Sequence, residues 1–161
     1  MPLNREWIER HIPHQGTMCL LDEVLTWNTS GVQCRSSSHR DRTNPLRSHD
    51  RLAAVCGIEY AAQAMAVHGA LIASRLTASP RNETVVGYLA SVRSVVLYTT
   101  RLDDVEADLI ATAEWVTGDE RSVLYDFAVS GNERVLLAGR ATIVFNAATR
   151  ELTLRSQTSN E

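Results

Sequence analysis

The sequence predicts an α+β domain in which a curved antiparallel sheet wraps around one long central helix. Residues 52–75 are the only long stretch that suits a helix, and apolar side chains cover most of its circumference. Beyond it, as far as residue 145, apolar residues recur with the period of two that is typical of strands. With 161 residues the chain is long enough for one such core and too short for two. We therefore predict a single domain in which the sheet encloses the helix.

The segment before the helix predicts a small helix followed by a hairpin. Residues 4–10 suit a short helical turn, and Pro13 and Gly16 then indicate a loop. Strands are expected at residues 22–27 and 32–36, because a tetrapeptide of turn-forming residues separates these two β-rich runs.

The remaining elements follow in order. Residues 37–50 are polar and contain Pro45, so we expect an exposed loop that leads into the helix, with Asp50 as the helix cap. The core should span about residues 10–146, and the polar residues 147–161 should form a tail. The strands predicted after the helix are residues 85–98, 109–115, 123–129 and 135–145.

Charge and composition exclude several classes of function. The net charge of -3 argues against a general nucleic-acid-binding surface. All 16 basic residues are arginines, so no lysine of this chain forms a Schiff base or a P-loop. We expect no membrane span, because no run approaches about 20 apolar residues, and the amino terminus lacks the apolar stretch of a secretory signal. These observations predict a cytoplasmic protein that binds neither nucleic acid nor membranes.

The cysteines and histidines do not predict a metal site. Cys19, Cys34 and Cys56 fit neither a disulfide framework nor a pair of metal ligands, so we expect buried, reduced thiols. Histidines, cysteines and acidic residues nowhere converge with the spacing of metal ligands. We therefore expect no bound metal ion.

The strongest chemical signal is a glutamate inside the apolar helix. Glu59 lies in the run 56–66, and Gln63 follows one turn later on the same face. Burial should raise the pKa of Glu59 toward the range in which a carboxyl group transfers protons. We predict that Glu59 is an acid or base and that Gln63 fixes its rotamer. The alternative is a structural carboxylate that extends to the helix end or forms an ion pair with an arginine such as Arg93.

Three parts of the chain carry a resemblance to a known enzyme family. They are IPHQ at residues 12–15 followed by MCLLDEV at 18–24, GIEYAAQA at 57–64, and GYLASVR at 87–93. These strings resemble the hotdog-fold 3-hydroxyacyl-acyl-carrier-protein dehydratases over nearly the whole chain. The similarity is greatest to the divergent predicted dehydratases of carrier-bound polyene and fatty-acid-like pathways.

The resemblance implies a substrate, a partner and an assembly. The fold would pair into a double-hotdog dimer, with each active site at the interface and with Glu59 as the helical acid. The reaction would eliminate water from a 3-hydroxyacyl thioester carried on the phosphopantetheine of acyl carrier protein, without a cofactor of the enzyme. A homodimer and a heterodimer with another hotdog subunit both stay open.

The sequence departs from the family at two positions. Asn44 stands in the region where these dehydratases carry the catalytic histidine, and Ala53-Ala54 replaces a Pro-Gly whose glycine N–H faces the thioester oxygen. Either His14 or His49 takes the place of the missing histidine, or the subunit is catalytically silent.

Further residues are candidates for supporting the site, and two other functions are alternatives. Gly57 and His49 belong to the predicted substrate-binding or supporting set, and Asn44 could orient water or a hydroxyl group. A hotdog thioesterase and a silent partner subunit are the alternatives to a dehydratase. The arginines expected to dock the carrier protein, or else to form a solvated loop, are Arg40, Arg42, Arg47 and Arg51.

Overall fold

A computed structural model describes residues 2–76 and 87–145, and within them it confirms the α+β prediction. These described residues form two α-helices and one antiparallel sheet of six strands. Short 3-10 turns lie at Gly16–Met18, Ser38–Arg40 and Ala54–Cys56. The helices and strands are α1 Arg5–His11, β1 Glu23–Asn28, β2 Gly31–Ser36, α2 Gly57–Leu76, β3 Gly87–Leu97, β4 Leu109–Gly118, β5 Ser122–Gly131 and β6 Arg134–Phe145.

The sheet has the strand order β1-β2-β4-β5-β6-β3, and every neighbouring pair is antiparallel. Helix α2 packs mainly against β2, β4 and β5. The edge strand β3 is largely exposed along its length. One end of the sheet is therefore left without a cover among the described residues.

The core forms where α2 meets the sheet. Its buried face includes Tyr60, Ala64 and Val67, which pack into one cluster with buried residues of the strands. At the helix start, a Cβ added to Gly57 would collide with Cδ2 of Leu137 on β6. The absence of a side chain at Gly57 thus lets the helix approach the sheet closely.

The start of α2 differs from the prediction. Asp50 does not cap the helix: it lies with His49 in a turn where both residues have positive φ, and its exposed carboxylate is 3.5 Å from Arg47 Nη2. The chain is still extended at Ala53, which pairs with Arg101 as an isolated β-bridge. A 3-10 turn then intervenes, so α2 begins at Gly57.

The loop of residues 37–50 is not simply exposed, as the sequence suggested. His39 and Asn44 are buried within it, at 0% and 6% relative exposure. His39 Nε2 lies 2.9 Å from the backbone oxygen of Val105. This contact satisfies one ring nitrogen of His39, while its Nδ1 is buried without a partner among the described residues. Asn44 is held by Ser38, Leu46 and Tyr60.

One segment is long and apolar enough to cross a membrane when only its length and composition are considered, so the expectation that no segment suits a membrane span was wrong. The segment Ala54–Arg75 has 22 residues and a mean hydropathy of 1.2 in its most apolar window, half of which is buried inside the fold. Small alanine residues raise its hydropathy, and Glu59 alone does not offset them. The core helix of a soluble domain passes the same test. The predicted tail of residues 147–161 lies outside the described residues.

Candidate functional site

Glu59 lies in the first turn of α2, where its side chain is about one-third exposed. Its Oε1 is 3.1 Å from Nε2 of His14, which comes from the loop after α1. Of the two histidines that the sequence left open, the structure thus brings His14 to Glu59. Both groups belong to the same chain.

Gln63 connects this pair to the loop that carries His14. The glutamine is fully buried one turn after Glu59, and its Nε2 donates to Glu59 Oε1 (3.2 Å) and to the backbone oxygen of Met18 (2.7 Å). Its Oε1 accepts the backbone N–H of Leu20 at 2.9 Å. Gln63 therefore contacts the carboxyl group, as predicted, and also fixes the loop.

The charge state of Glu59 differs from the prediction of a raised pKa. The hydrogen bond from His14 lowers the pKa of Glu59, burial raises it, and the hydrogen bond from Gln63 lowers it further, so that the net direction is down. The two donors outweigh burial because they stabilise the ionised form. Both bonds fall on Oε1, and Oε2 receives none from the described side chains. Glu59 is thus ionised near neutral pH, and its Oε2 stays free of hydrogen bonds from the described side chains.

The imidazole of His14 has one nitrogen engaged. A carboxylate only accepts hydrogen bonds, so Nε2 must carry the hydrogen that reaches Glu59. Nδ1 is buried and has no partner among the described residues. His14 accordingly holds Glu59 through Nε2.

Asn44 has internal partners. Its Nδ2 donates to the backbone oxygen of Ser38 (2.9 Å) and to Tyr60 Oη (3.0 Å), and its Oδ1 accepts the N–H of Leu46 (2.9 Å). No hydrogen bond joins it to Glu59 in the described part of the chain. Asn44 supports the loop of residues 37–50, and its contact with water or with a hydroxyl group of a bound molecule stays a prediction.

His49 lies apart from Glu59, in the exposed turn before α2. Its Nδ1 is 2.9 Å from Ser48 Oγ, and no contact with Glu59 is present within residues 2–76 and 87–145. The turn borders a cleft of about 420 Å³ at the start of the helix. The cleft is lined by Leu46, Ser48, His49, Arg51, Ala53 and Cys56.

The expected backbone donor for a thioester oxygen is occupied. Ala54, which stands where the resembling family has its glycine, donates its N–H to the backbone oxygen of Thr100 at 3.0 Å. The Sγ of Cys56 next to it has a pKa raised by burial, so it is a packed thiol rather than a nucleophile.

The arginine stretch is partly neutralised. Arg40 is 2.6 Å from Asp108 Oδ1, and Arg47 contacts Asp50. Arg42 and Arg51 form no ion pair with a described residue. Glu59 likewise has no arginine partner in the described ranges, so the alternative of an ion pair with Arg93 was wrong.

Sequence reasoning missed a buried polar cluster next to the site. Tyr60 Oη is 2.8 Å from Ser38 Oγ, which donates to the backbone oxygen of Leu20 at 2.8 Å. Ser36 Oγ donates to the same oxygen. The serines lie in a polar stretch whose composition is typical of a solvated loop, so only the position of Tyr60 beside Glu59 was a signal. In the part that the structure describes, no three His, Cys, Asp or Glu side chains are arranged to hold a metal ion.

Comparison with known proteins assigns the family. A model of the ApeP-like family, described as ApeP dehydratase, matches residues 6–153. The chain belongs to the ApeP-like dehydratase family. The predicted enzyme class, a dehydratase, is thereby confirmed, as is the dehydratase resemblance of the sequence. No curated protein matches the chain in sequence.

Solved structures confirm the hotdog fold. A chain of the dehydratase heterocomplex ApeI:P from Xenorhabdus doucetiae is similar with a TM-score of 0.78 at 22% identity, covering 96% of this chain and 97% of that one. The HP0420 homologue from Helicobacter felis has a TM-score of 0.57 at 13% identity, with coverage of 86% and 89%. A hypothetical thioesterase with coenzyme A from Streptococcus pneumoniae has a TM-score of 0.52 at 13% identity, with coverage of 77% and 84%.

Proposed function

We propose that this ApeP-like protein removes water from a 3-hydroxyacyl thioester that acyl carrier protein presents on its phosphopantetheine arm. The observation that carries the proposal is the 3.1 Å contact between Glu59 and His14 in a member of a dehydratase family. A carboxylate held by an imidazole can take one proton and return it. The thioester itself acidifies the C2 proton, so the reaction needs no cofactor, and a carrier-bound substrate favours a cytoplasmic location.

The proposed reaction assigns each proton to an atom. Glu59 Oε2 removes a proton from C2, the C2–C3 double bond forms, and the C3–O bond breaks. The departing hydroxyl group takes the proton back from the Glu59–His14 pair and leaves as water. The pair then has its starting charge, and the product is the 2-enoyl thioester. His14 stabilises the ionised carboxylate through its Nε2–H.

The exposed sheet edge supports pairing with a second hotdog subunit. Strand β3 pairs on one side only within the described residues. Its exposed apolar side chains include Tyr88, Leu89, Val96 and Leu97. An uncovered apolar edge strand is a surface for strand pairing. Because the similar ApeI:P structure is a heterocomplex, we favour a heterodimer over a homodimer. Of the four arginines in the loop before α2, Arg42 and Arg51 form no ion pair with a described residue, so we propose that these two contact an acidic carrier protein.

A catalytically silent subunit is the second candidate. It is favoured by Asn44 at the expected histidine position and by the occupied N–H of Ala54. In that case this chain would supply one wall of a site whose chemistry the partner performs.

Turnover assays separate the candidates. The purified protein, alone and with a co-expressed hotdog partner, is incubated with 3-hydroxyacyl and acyl thioesters of carrier protein. A dehydratase yields enoyl thioester, a thioesterase yields free thiol, and a silent subunit yields neither in any complex whose partner lacks its own acid.

The decisive variant is Glu59→Gln, which keeps the shape of the side chain and removes the carboxylate that acts as the base. We expect enoyl formation to fall by at least about a hundredfold. Glu114→Gln, an exposed glutamate on β4, is the matched control and should keep full activity. Full turnover by Glu59→Gln would exclude Glu59 as the base.

A further inference from the structure

We propose that Tyr60 is a positioning residue for this reaction, acting through Ser38 and the Leu20 peptide to hold the loop that presents His14 to Glu59. The inference rests on the proposed function of Glu59. It assigns a role to the missed polar cluster, which contacts no reacting atom.

The backbone of Leu20 is held through both its N–H and its carbonyl oxygen. Its N–H donates to Gln63 Oε1 at 2.9 Å. Its carbonyl oxygen accepts the hydroxyl groups of Ser38, at 2.8 Å, and of Ser36. Gln63 also contacts Glu59, so any movement of this peptide displaces the residue that fixes the carboxyl rotamer.

The hydrogen bonds from Tyr60 have one consistent direction. Asn44 Nδ2 carries hydrogens and donates to Tyr60 Oη at 3.0 Å. Ser38 uses its hydrogen on the Leu20 carbonyl, so in the 2.8 Å contact Tyr60 must donate to Ser38 Oγ. The chain of hydrogen bonds therefore runs from Asn44 through Tyr60 and Ser38 to the Leu20 carbonyl, and each donor has an acceptor.

Helix α2 consequently holds this loop at two points. Gln63 binds it directly, and Tyr60 binds it through Ser38 from a side chain that is fully buried. Phenylalanine at residue 60 would fill the same volume but deprive Ser38 Oγ and Asn44 Nδ2 of the bonds they form with the tyrosine, and buried polar groups do not lose partners without cost. Ser38 and Asn44 would shift to recover those bonds, and the loop that presents His14 would shift with Ser38.

A shift of the loop should be visible at Glu59. His14 and Gln63 are the groups whose hydrogen bonds lower the pKa of Glu59. The loop carries His14, and its Met18 oxygen and Leu20 N–H fix the orientation of the Gln63 amide. If the loop loosens, these bonds weaken and the pKa of Glu59 rises toward its ordinary value.

The chain provides a matched control in Tyr125. This tyrosine is also buried, and its hydroxyl group is 2.8 Å from His68 Nδ1, at another part of α2. Tyr125→Phe removes a buried hydroxyl bond without touching Leu20, Ser38 or Gln63. Comparing it with Tyr60→Phe separates loss of stability from loss of positioning.

The first test needs no turnover. Glutamate carboxyl groups labelled with ¹³C are titrated by NMR in the wild type, Tyr60→Phe and Tyr125→Phe, with Glu59→Gln identifying the Glu59 signal. We expect the Glu59 midpoint to move to higher pH in Tyr60→Phe and to stay unchanged in Tyr125→Phe. Equal midpoints in all three folded proteins would overturn the proposal. Should Tyr60→Phe not fold, Ser38→Ala breaks the same link and is interpreted in the same way.

The second test uses activity in the complex that turns over. Tyr60→Phe should lower kcat by about tenfold to a hundredfold with KM unchanged, and should move the acidic limb of the pH profile upward. In a His14→Asn background the same change should have little further effect, because the positioned contact is already lost. If Glu59→Gln stays active, the proposed function fails. If Glu59→Gln is inactive while Tyr60→Phe behaves like Tyr125→Phe, only the positioning role fails.

Discussion

Glu59 owes its charge state to neighbours that are distant in sequence. Burial alone would raise its pKa, yet the hydrogen bonds from His14 and Gln63 lower it. Gln63 was predictable as a neighbour because it lies one helical turn away. His14 was one of two candidates, and only the fold distinguishes it from His49, which lies in an exposed turn.

At this scale we predict the effect of His14→Asn on stability. A carboxyl group whose folded pKa lies below its ordinary value of 4.5 contributes stability above that pH and loses it as the pH falls through the folded value. The variant should be less stable than the wild type near neutral pH, and the difference should shrink below pH 4.5. Urea unfolding over a series of pH values measures this.

The control for that experiment is His49→Asn. Among the described residues the His49 side chain forms a hydrogen bond with Ser48 alone, and asparagine tolerates its positive φ. Its stability should follow the wild type at every pH. A deficit in His14→Asn that stays constant with pH would contradict the assigned role of this contact.

At the scale of elements, the prediction was accurate where the pattern is local. The small helix, the hairpin and all strands after the helix lie where periodicity and turn residues indicated, within a few residues. The start of α2 was misplaced, because the β-bridge between Ala53 and Arg101 keeps the chain extended beyond Asp50. Such a bridge depends on residues far along the chain, and local propensity contains no sign of it.

Two glycines of α2 test how closely the helix approaches the sheet. In Gly57→Ala the new Cβ would collide with Leu137 Cδ2, so we expect a loss of about 1–3 kcal/mol in the free energy of unfolding. A Cβ added to Gly69 would meet no packing neighbour within 4 Å, and Gly69→Ala should raise stability by about 0.5–1 kcal/mol. Chemical denaturation measures both, and equal effects would contradict the close approach at Gly57.

At the scale of the whole molecule, the dominant feature is the edge of the sheet at β3, which no described residue covers. Helix α2 covers β2, β4 and β5, while β3 at the edge stays exposed. A sheet that ends in an apolar edge strand tends to pair with another strand. We therefore expect a second subunit to cover this edge, and the partner tests above identify that subunit.

We predict that a charge on this edge prevents association. Val96→Glu places a carboxylate on β3, where the wild-type side chain is 47% exposed, and burial of that charge between two subunits is unfavourable. The assembly should dissociate to monomers, and light scattering measures the change in molar mass. Leu25→Glu, on the opposite edge strand with a 42% exposed side chain, is the control and should leave the assembly intact. Loss of assembly only in Leu25→Glu would place the interface on β1 instead.

The sequence by itself determined the fold class, the long apolar helix and the single carboxyl group within it, because periodicity and burial cost act locally along the chain. Tertiary structure decided which histidine meets Glu59, which direction its pKa takes, and that Asn44, Tyr60 and Ser38 form one buried network. Those outcomes depend on contacts between the loop after α1, the loop before α2 and the helix itself. Hydrogen bonds act over a few ångströms, so only the folded chain brings such groups within reach.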